Sequence, residues 1–368
     1  MTAIFSRFSN KKVNDFINAN LHADLHSLLL KKSPFPEVSM LEIVQQIKGK
    51  QVAQKKFPFL LKDGIVFPPQ LNLEQASSEK TAQFKAQNLS GKKFLDLTCG
   101  FGIDAFYLSE NFDEVFLIEK NSDLIETVAH NWQIFERKAK FINQDLEAFL
   151  RLNKDFFDVI YLDPARRDQN KNKVFLLEDL SPNILEIQDQ LLDISEKVII
   201  KLSPLIDLKY LVSTVKNIFK IEIIAVKNDV KEVVLYLKKN SSEKIICSCV
   251  NLETDDREFS FEFSEESAAE AIFGEPEAFI YIANNAILKA GTFNLISEKF
   301  NLKKLHPNTH IYTSNENISD FPGRVLKMEI ITAKEIKKKE KYNIIAKNYP
   351  LKPEEIRKKY GISDGGEA

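Results

Sequence analysis

Short apolar runs separated by amphipathic stretches fill the middle of the chain, from residue 92 to about residue 239. Several runs are almost continuous Val, Ile, Leu and Phe, which is typical of parallel strands covered on both faces. The stretches between them, such as residues 122–135, repeat apolar residues every three to four positions and predict helices. This alternation predicts a doubly wound parallel sheet. The predicted strands are residues 94–97, 115–118, 140–142, 159–162, 198–202, 221–226 and 233–237.

The link between the last two predicted strands is short. It consists of about six residues, 227–232, whereas a parallel crossover needs about a dozen or more. The final strand is therefore expected to run antiparallel to the others.

The regions that flank this sheet have other patterns. Residues up to about 70 carry apolar side chains at helical spacing, among them Phe16, Ile17, Leu21, Leu25 and Leu28. After residue 240, alternating strands, a helix at residues 276–290 and further short strands predict an α+β region. The predicted domains are a helical region at 1–70, an α/β domain at 71–240, an α+β domain at 241–325 and a C-terminal segment at 326–368.

The composition is that of a globular protein. The 368 residues are 44% hydrophobic and 28% charged, with a formal net charge of −2. Any nucleic-acid contact would therefore depend on a local basic patch. No apolar run is long enough for a membrane span or a signal peptide, so no membrane contact is expected. The residues carry no signal for an oligomeric state.

The cysteines and histidines do not predict a metal site. Cys247 and Cys249 alternate with other residues as on one face of a strand, and Cys99 stands apart from them. Neither of two histidine pairs has a third or fourth ligand in view. Three sparse cysteines favour a reducing environment over a disulfide framework, so the expected location is cytoplasmic.

The C-terminal segment is rich in lysine, but Glu335 and Glu340 are interleaved with the lysines. This pattern favours a solvated helix face over a nucleic-acid patch. Residues 363–366 form a Ser-Asp-Gly-Gly hairpin-turn signal that no second strand follows. We therefore expect the segment to be truncated.

The clearest candidate for ligand binding follows the first predicted strand. That strand ends at Asp96 and leads into Thr-Cys-Gly-Phe-Gly at residues 98–102, after which a helix begins. The two glycines permit a sharp turn and a close approach to a ligand, while the start of the helix offers free N–H groups. Taken alone, Gly-x-Gly-x-x-Ala also fits a nicotinamide dinucleotide fingerprint or a tight turn without a ligand.

Polar residues at the ends of the following strands narrow these alternatives. Glu119 ends the second strand, Asp145 follows the third, and Asp163 with Pro164 ends the fourth. The carboxyl ends of parallel strands are where open α/β sheets bind ligands. Together with Asp96, these carboxylates suit a ligand that carries an ammonium group, ribose hydroxyls and an adenine amino group.

In this order the motifs resemble those of class I S-adenosylmethionine-dependent methyltransferases, whose sheet has a seventh strand antiparallel to six others. The whole chain is most similar to a Bacteroidetes group with a ferredoxin-like domain and a C-terminal THUMP-like domain. Residues 321–325 and 348–351 carry the C-terminal resemblance. The upstream segment 73–82 resembles one that closes over the cofactor in RNA methyltransferases.

The resemblance implies a Rossmann-like seven-stranded α/β sheet and S-adenosyl-L-methionine as the cofactor. The cofactor-binding residues expected on this basis are Ser78, Thr81, Asp96, Thr98, Cys99, Gly100, Gly102, Glu119, Lys120, Asp145, Leu146 and Asp163.

The candidate catalytic residues follow the fourth strand and are Asp163, Pro164, Ala165 and Arg166. Related enzymes have a second proline where Ala165 stands or an aromatic residue where Arg166 stands, so this departure leaves the methylated atom open. Asp163 is expected to orient the nucleophile or take its proton. The predicted substrate-binding residues are Arg166, Arg167 and Lys201, although surface salt bridges or a strand cap would also explain them.

The predicted function is methyl transfer from S-adenosylmethionine to a base of structured RNA, either tRNA or rRNA. The RNA assignment depends on the THUMP-like resemblance and on the Asp-Pro-Ala-Arg loop. Two other functions fit the residues: methylation of a small molecule or protein, and RNA binding without catalysis on a retained fold. A nicotinamide-dependent dehydrogenase fits less well, since no obvious proton-relay histidine follows the fingerprint.

Overall fold

The structure is a computed structural model that describes residues 7–8, 10–166, 176–241, 244–337, 339–347 and 349–366. It divides into two units. Unit 1 contains Met1–Glu222 and Lys231–Glu243, and unit 2 contains Ile223–Val230 and Lys244–Ala368. The four predicted domains divide the chain more finely, and their bounds stay a prediction. Across the described ranges, no helix combines the length and the apolar character that a membrane crossing needs.

Unit 1 begins with helices, as the spacing of its apolar residues predicted. These helices share a small core that includes Ile17, Leu28 and Ile43. The longest starts with a capping box, in which Ser39 Oγ accepts from the Glu42 N–H and the Glu42 carboxylate accepts from the Ser39 N–H. The helices are α1 (Lys11–Ala19), α2 (Leu25–Leu29), α3 (Met40–Lys56), α4 (Gln70–Gln75) and α5 (Glu79–Ala86), with a 3-10 turn at Pro58–Leu60.

A mostly parallel sheet has most of its residues in unit 1, and residues 223–230, which end one of its strands and begin the next, belong to unit 2. The strands are β1 (Gly91–Asp96), β2 (Phe112–Glu119), β3 (Lys140–Asn143), β4 (Phe157–Leu162), β7 (Ser195–Leu202), β8 (Ile218–Val226) and β9 (Asp229–Leu237). A separate two-stranded ribbon consists of β5 (Ala165–Arg166) and β6 (Leu180–Ser181).

Within a sheet of nine strands, these seven have the order β8-β9-β7-β4-β1-β2-β3. The pairs β7–β4, β4–β1, β1–β2 and β2–β3 are parallel, whereas β9 is antiparallel to β7. Lys227 and Asn228, between β8 and β9, have φ angles of 50° and 64°, and two left-handed residues in succession are typical of a two-residue hairpin turn. The predicted α/β sheet with an antiparallel last strand is confirmed, and the sheet as a whole has nine strands where seven were predicted.

The helices between the strands begin where polar residues precede apolar ones. Asn121, Asp145, Asn183 and Asp207 each accept a hydrogen bond from a backbone N–H in the first turn of the helix that follows. One helix instead begins after Gly102, which has no side chain to accept such a bond. The helices are α6 (Ile103–Leu108), α7 (Ser122–Ile134), α8 (Leu146–Leu152), α9 (Ile184–Asp193) and α10 (Leu208–Thr214).

Unit 2 is built from short strands and short helices, as the α+β prediction stated. Cys247 and Cys249 lie buried in β10, which pairs antiparallel with β11, so their assignment to one strand is confirmed. The strands are β10 (Ile246–Leu252), β11 (Phe259–Glu262), β12 (Ile272–Phe273), β13 (Phe279–Ala283), β14 (Lys303–His306), β15 (Thr309–Ser314), β16 (Gly323–Lys327), β17 (Lys341–Tyr342) and β18 (Ser363–Asp364). The helices are α11 (Glu265–Ala268), α12 (Asn285–Ala290), α13 (Leu295–Lys299) and α14 (Pro353–Tyr360).

The helix predicted for residues 276–290 is wrong over its first half. Phe279–Ala283 is a strand of a sheet with the order β12-β14-β15-β13-β16, and α12 begins only after Asn284. The aromatic and β-branched residues of this segment suit a strand between two partners better than a helix. Asn284 then caps the helix by accepting from the Ile287 N–H.

The C-terminal segment also differs from its prediction. The lysine-rich residues do not form the predicted solvated helix face: a turn follows Thr332, and Lys341–Tyr342 is a strand. Ser363–Asp364 pairs in parallel with that strand, so the predicted hairpin turn is wrong as well. Both segments are strands because they pair with each other, although they lie about 20 residues apart in the chain. Local charge patterning carries no information about such pairing.

Candidate functional site

The loop between β1 and α6 depends on two glycines for different reasons. Gly100 and Gly102 have φ angles of 55° and 74°, in the left-handed region that favours glycine. A Cβ on Gly102 would lie 2.8 Å from Val128 Cγ1, so this position is also constrained by packing. A Cβ on Gly100 would meet only Thr98 O, at 3.7 Å, which leaves room for a ligand beside the backbone.

Two carboxylates hold the loop in place. Asp96 Oδ1 accepts from the Thr98 N–H at 2.9 Å, and Glu119 Oε2 accepts from the Gly100 N–H at 3.0 Å. Glu119 Oε1 accepts from the Asn121 N–H at 2.9 Å, so one side chain joins the ends of β1 and β2. Asp96 is 1% exposed, and burial raises the pKa of its carboxyl.

The end of β4 is fixed by the same loop. Thr98 Oγ1 accepts from the Asp163 N–H at 2.7 Å, and the Asp163 side chain remains 34% exposed. Pro164 is buried, whereas Ala165 and Arg166 are exposed and pair with β6. The structure therefore places the predicted catalytic carboxylate next to the predicted cofactor loop.

Lys201, from the end of β7, contacts Asp163 directly. Its Nζ lies 2.6 Å from Asp163 Oδ2, and the lysine is buried. Burial raises the pKa of Asp163, and the Lys201 ammonium opposes that rise. Burial would lower the pKa of Lys201, but Asp163 and Asp104 together raise it above its ordinary value. At a separation of 2.6 Å, the two side chains form an ion pair.

Sequence reasoning missed a group of side chains behind this ion pair. Asp104 accepts from Ser77 Oγ at 2.6 Å and from the Tyr161 hydroxyl at 2.7 Å, while Lys85 lies between Asp104 and Glu232. Burial would raise the pKa of Asp104, but Lys85 and Lys201 lower it below its ordinary value. One sequence signal could have predicted this group: Asp104 is a carboxylate between Ile103 and Ala105, on the apolar side of a helix.

Three other predicted site residues, Ser78, Thr81 and Asp145, make side-chain hydrogen bonds to their own chain neighbours. Ser78 caps α5 by accepting from the Thr81 N–H, and Thr81 Oγ1 donates to Ser78 O. Asp145 Oδ1 caps α8, which leaves Oδ2 without a part in the cap. Lys120 is exposed, while Cys99 and Leu146 are buried. Arg167 lies outside the described residues. Cofactor binding by these residues stays a prediction.

The described part of the chain has no group of three or more His, Cys, Asp or Glu side chains arranged to hold a metal ion.

Three family models match separate segments of the chain. Residues 77–189 match the model described as conserved hypothetical protein 95. Residues 279–322 match a ferredoxin-like domain, and residues 324–368 match a THUMP-like domain. The first match includes the loop, Glu119 and Asp163, and the other two lie in unit 2.

One solved structure and one curated protein are similar to this chain. The crystal structure of a candidate methyltransferase from Porphyromonas gingivalis W83 is 26% identical, with a TM-score of 0.84, and the match covers 97% of this chain and 92% of that one. A protein of Mycoplasma mobile, named as an uncharacterized RNA methyltransferase, is 29% identical over 126 residues. That match covers 33% of this chain and 35% of the relative, so this chain spans about a third of it.

The fold and the matches together define a methyltransferase fold with appended domains. The large mixed sheet carries the glycine loop and the carboxylates at the strand ends where open α/β sheets bind ligands. The resemblance to methyltransferases with ferredoxin-like and THUMP-like domains is confirmed.

Proposed function

We propose that the protein transfers a methyl group from S-adenosylmethionine to a base of structured RNA, either tRNA or rRNA. One observation carries the proposal: Thr98, in the loop after β1, accepts a hydrogen bond from the backbone of Asp163, after β4. The loop that suits a methyl donor and the carboxylate that suits an acceptor are thus held in one rigid arrangement. Methyl transfer requires that arrangement, because an in-line displacement depends on alignment.

The residues around the loop fit the methyl donor. The backbone at Gly100 is uncrowded, since a Cβ there would meet only Thr98 O at 3.7 Å, and this suits a close approach by the donor's amino-acid part. Glu119 uses one lone pair on each oxygen for backbone N–H groups and retains others for ribose hydroxyls. Asp145, after β3, is assigned to an adenine amino group. When bound, S-adenosylmethionine would supply an electrophilic methyl group on a sulfonium.

The acceptor is assigned to the segment after β4. Asp163 exposes about a third of its side chain, so an acceptor can reach the carboxylate. Its Oδ2 contacts Lys201, which leaves Oδ1 to accept a hydrogen bond from the acceptor's donor group. Pro164 has no N–H, so the backbone offers the acceptor no donor at that position. The exposed Arg166 suits a phosphate of the acceptor strand.

RNA as the acceptor is supported from outside the site. The relative from Mycoplasma mobile is named as an RNA methyltransferase, and residues 324–368 match a THUMP-like domain.

Two measurements test the proposal. Calorimetry should detect binding of S-adenosylmethionine to the purified protein, and mass spectrometry of RNA nucleosides should show one methylated nucleoside that disappears when the gene is deleted. Asp163→Ala should retain donor binding and lose transfer to RNA from the deletion strain. Asp189→Ala, on an exposed part of α9, is the matched control and should retain both.

The alternatives give different results. Donor binding without a change in any RNA nucleoside would favour a small molecule or a protein as the acceptor. RNA binding that falls with salt, without methyl transfer, would indicate a binding protein on a retained fold. Full activity of Asp163→Ala would contradict the assigned role of that carboxylate.

A further inference from the structure

Five buried or partly buried charges lie together behind the proposed acceptor site. They come from the segment before the sheet, the helix after the glycine loop, and the strands β4, β7 and β9. The side chain of Lys85 is fully buried, and those of Asp104 and Glu232 are 9% and 5% exposed. The five are Lys85, Asp104, Asp163, Lys201 and Glu232. Buried charges destabilise a fold unless each is paired.

Lys201 uses its ammonium group inside the protein. Its Nζ lies 2.6 Å from Asp163 Oδ2, 3.0 Å from Ser77 Oγ and 3.5 Å from Asp104 Oδ2. An ammonium has three N–H donors, and three oxygen atoms surround it here. Lys201 therefore has no donor left for a substrate phosphate while this arrangement holds, in contrast to the substrate-binding role expected from the sequence.

Ser77 is the polar centre of the group. Its hydroxyl donates to Asp104 Oδ2 at 2.6 Å and accepts from Lys85 at 3.1 Å and from Lys201 at 3.0 Å. A hydroxyl has one donor and two acceptor sites, and all three are used. Ser77 is 7% exposed, so water does not replace these partners.

Lys85 completes the arrangement in the same way. Its ammonium donates to Ser77 Oγ at 3.1 Å and to Glu232 Oε2 at 2.6 Å, and it lies 2.9 Å from Asp104 Oδ1 as an ion pair. Ser77 and Lys85 both belong to the segment that precedes β1. This segment, residues 77–85, therefore supplies two of the contacts that hold Lys201 and Asp104.

We propose that Lys201 is a positioning residue for Asp163, and that Ser77 holds Lys201 in place. The segment before the sheet would thus set the geometry of the acceptor site and not only cover the donor. The proposal rests on the proposed function, since it takes Asp163 as the group that contacts the acceptor. The physical reason is that an ion pair in a site of low dielectric fixes both the charge and the direction of the carboxylate.

The test follows Asp163 in two ways. Carbon-13 labelling of aspartate carboxyls, with Asp163→Asn to assign the signal, gives the titration midpoint of Asp163 without any methyl transfer. Kinetics with RNA give kcat and the KM for the donor. Lys201→Met should raise the midpoint and lower kcat by about a hundredfold, with the donor KM nearly unchanged. Lys201→Arg, which keeps the charge, should recover part of the loss.

Ser77→Ala removes a hydroxyl and no charge. It should move the Asp163 midpoint and kcat in the same directions as Lys201→Met, by smaller amounts. If Lys201→Met does not fold, Ser77→Ala alone tests whether this group of side chains positions Asp163. Lys239→Met, which breaks an exposed pair with Asp193, is the control and should change neither quantity. A wild-type midpoint and kcat in both Lys201→Met and Ser77→Ala would overturn the proposal, as would a loss confined to donor KM.

The experiment distinguishes a failure of the positioning role from a failure of the proposed function. If the wild-type protein transfers no methyl group, the Asp163 midpoint still decides whether Lys201 and Ser77 control that carboxylate. An unchanged midpoint in Lys201→Met, in protein that folds, refutes the positioning role whether or not the protein is an enzyme.

Discussion

Replacing Gly102 with alanine tests whether packing as well as backbone conformation shapes the loop. The new Cβ would lie 2.8 Å from Val128 Cγ1 and 3.4 Å from Trp132 Nε1, at a φ of 74°. Gly100→Ala is the matched control in the same loop, because its φ is 55° and its nearest neighbour, Thr98 O, lies 3.7 Å away. Both substitutions strain the backbone, but only the first also creates an overlap.

The two free-energy losses are expected to differ severalfold. A left-handed conformation costs a residue with a Cβ about 1–2 kcal/mol, and the reduced freedom of the unfolded chain offsets about 0.4–1 kcal/mol of it. Gly100→Ala should therefore lower the free energy of unfolding by about 1 kcal/mol. Overpacking adds about 1–3 kcal/mol, so Gly102→Ala should lower it by about 2–4 kcal/mol.

The chain contains its own reporter for this measurement. Trp132 is the one tryptophan in the sequence, is 3% exposed and lies in unit 1 with both glycines. Urea unfolding followed by its fluorescence gives the free energy of unfolding of each variant in the absence of ligand. Equal losses for Gly100→Ala and Gly102→Ala would refute the reasoning, because they would mean that the overlap is relieved at no cost.

A double variant sharpens the result. Val128→Ala removes the atom that the new Cβ would meet, so its combination with Gly102→Ala should destabilise unit 1 less than the two single losses added together. Strict additivity would show that Val128 is not the source of the penalty.

Three further predictions concern neighbouring contacts. Thr98→Val removes the hydrogen bond to the Asp163 N–H and should lower kcat for methyl transfer by about tenfold, with an unchanged kcat contradicting the link between loop and acceptor site. Lys85→Met leaves the buried Glu232 carboxylate without its lysine partner and should lower the free energy of unfolding by about 3–5 kcal/mol. Lys140→Met, which breaks an exposed pair with Glu114, should cost about 1 kcal/mol or less in the same urea assay. Burial and the nearby Lys201 lower the pKa of Lys56 to about 8, so the folded protein binds fewer protons than the unfolded chain between pH 8 and 10.5 and its stability should rise with pH in that window. Lys56→Met should flatten that rise, and an unchanged slope would contradict the lowered pKa.

Much of unit 1 could be predicted because its signals are local. Continuous apolar runs define strands covered on both faces, and the short link before β9 excludes a parallel crossover. The loop, Glu119 and Asp163 follow from their positions after predicted strands, since parallel strands bring their carboxyl ends to one edge of the sheet. The structure adds the hydrogen bonds that join them.

Unit 2 shows where local signals fail. Residues 279–283 were predicted as helix but form a strand, because two neighbouring strands supply its hydrogen bonds. Residues 363–364 were predicted as a turn but pair with β17 for the same reason. A short segment with mixed propensity takes the conformation that its partners allow.

The sequence by itself determined the sheet, the glycine loop and the order of the carboxylates, because periodicity and glycine conformation are properties of the chain over a few residues. Only the tertiary structure decided what Lys201 does. Its partners, Ser77, Asp104 and Asp163, come from positions far apart in the chain, and they meet because β7 lies beside β4 and the upstream segment packs on both. A buried lysine takes its role from the charges that surround it, and those charges are assembled only by the fold.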